Sequence, residues 1–122
     1  MLLYHVTDAE NVDAIVRQGF EGGYGDAGFG VYFYDDFELA RAYASSGGWD
    51  GALSVPVVLS VQVDQAQVDR VVPHPDWPDP ESYEGVWFAE LDEDDGARLR
   101  VPTSRPRHGP TQIAEEPKSM SI

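Results

Sequence analysis

At 122 residues the chain has the length of a single domain, residues 1–122, with enough material for a core that needs no covalent staples. It has no cysteine, which excludes disulfides, thiolate metal sites and a cysteine nucleophile. Acidic residues number 22 against 8 basic, a formal net charge of −14, so bulk attraction to nucleic acid or anionic lipid is not expected.

The nearest approach to a basic stripe is the scatter Arg98, Arg100, Arg105 and Arg107, with Lys118 the only lysine. A local anion site stays open. Abundant Asp with almost no Lys also suits a protein of high-salt surroundings, where self-repulsion is screened. The opening MLLYHV has no basic n-region and no long apolar run, so neither a signal peptide nor a membrane span is expected and the location is read as cytoplasmic.

Leu2 to Val6 reads as a short buried strand. Thr7-Asp8-Ala9-Glu10 has the form of a capping box, in which hydroxyl and carboxylate satisfy reciprocal donors at a helix start. The helix it predicts carries Val12, Ile15 and Val16 on one face and stops at Gly19. Residues 21–30, EGGYGDAGFG, form a glycine-rich loop, expected to lie over a ligand or to be a mobile connection. Within it, Gly23 to Gly28 spells GxGxxG. The dinucleotide fingerprint needs a strand before it and a helix after it, and here the order is reversed, so that match is rejected.

The stretch from Gly28 to Ala44, GFGVYFYDDFELARAYA, reads as strand, sharp turn and helix. Val31-Tyr32-Phe33-Tyr34 is the strand, Asp35 and Asp36 suit a helix N-terminus, and Phe37, Ala40 and Ala44 recur at helical spacing. A helix folded back beside its own strand can bring Tyr32 and Tyr43 to opposite sides of one slot, suited to a flat aromatic ligand. On these residues alone, the plainer reading of both tyrosines as core is preferred.

Ser45 to Gly51 is a second loop. Leu53 to Val63 is the longest β-like run, with Pro56 implying an edge or a bulge. Val68 to Val72 reads as a short strand, and Pro73 to Ser82 as a proline-stiffened connector. Tyr83 to Leu91 and Ala97 to Val101 read as a hairpin around the acidic turn Asp92 to Gly96. That turn lacks the alternating ligand spacing of a calcium loop, so no metal site is assigned. Thr111 to Glu115 is the last expected strand, before Pro117. Helices early and strands late make the class α+β.

Two separated segments, LLYHVTDAENVDAIVRQGF and GVYFYDDFELARAYA, resemble the poly(ADP-ribose) polymerase branch of the ADP-ribosyltransferases. The first resembles that family's opening strand and helix, with its histidine followed by a small residue and Ser or Thr. The second is similar to its glycine–x–Tyr–Phe strand and following helix, with the second tyrosine at the family's spacing. They fall in the family's order and cover about a quarter of the chain.

The resemblance implies a split, mixed β-sheet with two short helices near the N-terminus, binding NAD⁺ as substrate. His5 would bond a ribose hydroxyl, and the backbone at Val6, a glycine in most of the family, would pair with the nicotinamide amide. Thr7 and Gly30 hold the flanking motif positions. Tyr32 and Tyr43 would sandwich the nicotinamide ring, with Phe33 behind it. Ala40 stands where a serine commonly caps the amide.

The family's third triad member is a glutamate opening a late strand, and by its distance before Pro117 the matching residue is Gln112. Ile113 facing the core would put Gln112 on the other face. Cleavage of NAD⁺ builds positive charge on the ribose, which a carboxylate stabilises; glutamine keeps the hydrogen bond and loses the charge. Glu84, Glu90 or Glu115 are the candidates for a substitute carboxylate.

The expected activity is therefore NAD⁺-dependent mono-ADP-ribosyl transfer with His5, Tyr32 and Gln112 as catalytic residues. The acceptor would be a protein or small molecule rather than nucleic acid. Chain elongation is not expected, since glutamine cannot act as a base. The alternatives are a non-catalytic NAD⁺ or ADP-ribose binding module, an RNA 2′-phosphotransferase of the same fold, which the acidic composition disfavours, and an acidic interaction domain.

Overall fold

The computed structural model describes residues 1–48 and 51–104. It is an α+β arrangement. Strand β1 (Leu2–Asp8) leads through a 3₁₀ turn into helix α1 (Val12–Gln18), followed by β2 (Phe20–Glu21) and β3 (Gly23–Gly25). Then come β4 (Gly28–Tyr34), helix α2 (Phe37–Ser45), β5 (Pro56–Gln62), β6 (Asp69–Arg70), β7 (Val86–Glu90), β8 (Arg98–Leu99) and β9 (Thr103–Ser104).

Seven strands form one sheet in the order β6-β7-β4-β1-β5-β9, with β3 also on β4, and β2 pairs β8 separately. Every strand pair among the described residues is antiparallel, where a mixed sheet was expected. The connection from β1 to β4, which contains α1, is long enough for a parallel crossover, yet the two strands meet antiparallel. The two short helices are present. The expected last strand, Thr111 to Glu115, lies outside the described residues, as does Gln112.

One face of the sheet carries the main core, in which Leu3, Phe20, Phe33, Val57, Leu59 and Val61 are essentially closed to solvent. The opposite face receives α2 through Phe37, Ala40 and Ala44, against Tyr4 and Val58. Their helical spacing is the reason α2 can bury one stripe. The Asp36 carboxylate caps it, accepting from the backbone N–H groups of Glu38 at 2.7 Å and Leu39 at 3.3 Å.

Three further expectations change. The capping box does not form: β1 continues through Asp8, whose carboxylate accepts from Val55 N–H at 2.7 Å, while the Thr7 hydroxyl accepts from the Asn11 amide at 3.2 Å. The glycine-rich stretch is no open loop. Gly23-Tyr24-Gly25 pairs with Gly28-Phe29-Gly30 as a hairpin, and Gly28 takes a φ of +124° that strains any side chain. Finally, Arg98-Leu99 pairs with Phe20-Glu21 rather than with β7. Both edges of β7 are already taken, by β4 along five residue pairs and by β6.

Pro56 opens β5 opposite Asp8, where among the described residues the strand has a single partner; β9 as described joins at Ser60 and Val61. That is the edge environment a proline without N–H requires.

Candidate functional site

The site begins where the sheet parts. β1 and β4 are bridged at Tyr4 and Tyr34 alone, while β1 pairs β5 along its whole length. From His5 onward, the edge of β1 toward β4 is therefore free of a ladder. A cavity of about 570 Å³ opens beside this seam, lined by His5, Thr7, Gly30 and Tyr32, by Gln18 of α1, and by Glu21 and Arg98. The second turn of α1 stands over it: Ala14, Ile15 and Gln18 face the cavity, and Val16, expected inward, is 38% exposed.

His5 and Tyr32 are brought together. Nδ1 of His5 lies 2.8 Å from the backbone carbonyl oxygen of Tyr32. A carbonyl only accepts, so Nδ1 carries the proton and donates, leaving Nε2 as the acceptor nitrogen of a neutral ring. The ring is held edge-on by Phe20 at 4.7 Å and Phe33 at 5.6 Å. Burial among these apolar rings pushes the imidazole down to about 4, the bond to Tyr32 opposing the shift. At neutral pH His5 is an uncharged acceptor on the cavity wall.

Tyr32 is held by the β3–β4 hairpin. Its hydroxyl donates to Gly28 O at 2.8 Å and accepts from Ala27 N–H at 3.0 Å, and its ring lies 4.7 Å from Phe88. A Cβ on Gly25 would come within 2.5 Å of that ring, so any larger residue there displaces the ring from this position. Burial raises the Tyr32 phenol above its ordinary value, opposed by its hydrogen bonds to the Ala27 and Gly28 backbone, with a smaller push from Asp26. The hairpin is tied down further by Tyr24 to Glu93 and by Tyr83 to Asp26, each phenol donating to the carboxylate.

Gly30 also lines the cavity, and a Cβ there would sit 2.1 Å from Ala89 O, so close pairing of β4 with β7 demands glycine. Thr7, 7% exposed, is on the wall. Phe33 lies in the core behind His5. Val6 packs toward α2, opposite Val58.

Tyr43 and Ala40 are placed elsewhere. The Tyr43 ring lies 5.9 Å from Tyr34, whose phenol is pushed up to about 12 by burial and then by Tyr43. Ala40 is fully buried on the stripe by which α2 packs against the sheet. Neither lines the cavity, and Tyr32 and Tyr43 do not face one another across it. Of the substitute carboxylates, Glu84 and Glu90 are exposed and off the cavity wall. Glu115 lies outside the described residues.

The cavity residues that the sequence does not reveal are Asn11, Gln18, Glu21, Tyr24 and Arg98. Glu21 and Arg98 meet only because β2 pairs β8, giving a 2.7 Å ion pair with no local pattern behind it. No helix is long and apolar enough to cross a membrane among the described residues. Compared with protein-family models, curated protein sequences and solved structures, the chain gives no match in any of the three.

Proposed function

We propose that this protein binds NAD⁺ in the cavity beside the β1–β4 seam and transfers a single ADP-ribose from it, releasing nicotinamide. The observation that carries the proposal is the state of His5. Its Nδ1 is committed to the Tyr32 carbonyl, which leaves Nε2 to accept from a ribose hydroxyl on a wall it shares with Gly30, Thr7 and Tyr32. The free edge of β1 supplies backbone groups for an amide. The proposed fold is the split sheet of the ADP-ribosyltransferases, supported by the two motif segments and by the single bridge between their strands.

In this reading nicotinamide leaves as the ribose becomes cationic. His5 orients the sugar, and Gln112 supplies a hydrogen bond without the charge that would stabilise the cation.

A second reading has support of its own: a module that binds NAD⁺ or ADP-ribose without turning it over. The one carboxylate among the described lining residues, Glu21, is already engaged by Arg98, and Tyr43 is packed on Tyr34.

One experiment separates the two. Nicotinamide release from NAD⁺ is followed for the wild type, Gln112→Glu and Gln112→Ala across pH 6 to 9, a range chosen to cover a new glutamate sitting partly protonated. A transferase gains about 10²–10³ in turnover with glutamate and loses its residue of activity with alanine. No release from wild type or Gln112→Glu at any pH, with NAD⁺ still bound, leaves the binding module.

A further inference from the structure

The cavity has one cationic side chain among its described lining residues, Arg98, and it is already occupied by a carboxylate of the protein itself. The Arg98 guanidinium meets Glu21 at 2.7 Å and reaches toward Gly19 O at 3.5 Å. The contact is built into the backbone, because Glu21 and Arg98 stand directly opposite in the β2–β8 pair. The close approach of those strands depends on Gly19, where a Cβ would meet Leu99 O at 2.7 Å.

The other described arginines that carry a contact are committed elsewhere. Arg17 reaches Asp13 O, Arg41 pairs with Glu38, and Arg70 lies over the Trp87 ring. On a chain of net charge −14, an anionic ligand is repelled by the protein as a whole as it approaches. Among the described lining residues, Arg98 is the one standing cation able to receive it. The exchange is easy, because the Glu21 side chain is 73% exposed and that of Arg98 30%, and an ion pair so open adds little net stability. A planar guanidinium also matches a phosphate pair with two parallel donors.

We infer that Arg98 is the receptor for the diphosphate of the ligand, and that Glu21 holds it in place until the diphosphate displaces the carboxylate. The inference rests on the NAD⁺ reading for the rest of the ligand. Glu21 thus sets affinity by competition, and its removal strengthens binding.

The test is calorimetric titration of NAD⁺, ADP-ribose, ADP and adenosine into wild type, Arg98→Gln, Glu21→Gln and the double variant, each checked for folding by circular dichroism. Arg98→Gln weakens ADP and ADP-ribose about tenfold to a hundredfold, the loss of a charged hydrogen-bond partner, and leaves adenosine unchanged. Glu21→Gln tightens both diphosphates, a gain that a merely destabilised protein would not produce, and the double variant follows Arg98→Gln. NAD⁺ or ADP-ribose binding that is indifferent to Arg98 overturns the inference and leaves the transferase reading standing. Arg98-dependent binding of ADP without any binding of NAD⁺ does the reverse. If the wild type takes up none of the three phosphorylated ligands, both fall.

Discussion

His5 shows how one side chain is given a single chemical state by its surroundings. Its folded-state value of about 4 lies below the ordinary 6.5, so the unfolded chain takes up this proton first as the pH falls. The stability it contributes is whole above about pH 6.5 and is lost between there and pH 4, at about 1.4 kcal/mol for each unit of difference. His5→Phe removes that titration. Urea unfolding at pH 7 and pH 4.5 should cost the wild type more on acidification than the variant, since both carry the same carboxylates. An equal loss in the two would mean that His5 is not held neutral. Tyr43 makes a second case at this scale. Its ring rests on Tyr34, so Tyr43→Ala should lower stability by about 0.5–1.5 kcal/mol while leaving NAD⁺ affinity essentially unchanged. Tyr32→Ala should weaken NAD⁺ by about 1–3 kcal/mol, the range for losing a stacking platform. Equal losses of affinity from both would show that α2 swings over to close the sandwich when ligand enters.

Among the elements, the helix after Asp35-Asp36 and the helix after Thr7-Asp8 behave differently for one reason. Asp36 has extended backbone and no competing partner, so its carboxylate turns to the first free N–H groups of α2. Asp8 is still inside a strand ladder, and the nearby Val55 N–H takes its carboxylate instead. Asp36→Ala should therefore cost about 1 kcal/mol in urea unfolding, and Asp36→Asn much less. If alanine proves neutral, the cap seen here carries no weight in solution. The β8 strand makes the same point about edges: a run with the right alternation pairs with whichever edge is unclaimed.

Over the whole molecule the dominant quantity is charge. With −14 on a small domain, carboxylates repel across the surface, and only three ion pairs are described, two of them between exposed or histidine partners. Raising monovalent salt from 0.1 to 1 M shortens the screening length from about 10 to about 3 Å, so the melting temperature should rise over that range in KCl. A temperature that does not move would mean that repulsion is not what limits stability, and would remove the case for a high-salt setting. Salt acts oppositely on the Arg98 contact, which it weakens.

What the sequence determined by itself is local and periodic. The apolar run from Val31 to Tyr34, the Asp36 cap, and the spacing of Phe37, Ala40 and Ala44 specify strand, turn and helix, because near neighbours along the chain are bound to be near in space. Composition likewise ruled out thiol chemistry without any fold. His5 and Tyr32 were legible as partners only through resemblance between two distant segments, and Gln112 rests on that resemblance still. Which strand edges were free, and so where Arg98 met Glu21, was decided by the tertiary structure alone. Backbone pairing is indifferent to the side chains it brings opposite each other; β8 reached β2 because β7 was full, and the ion pair at the cavity followed from that competition.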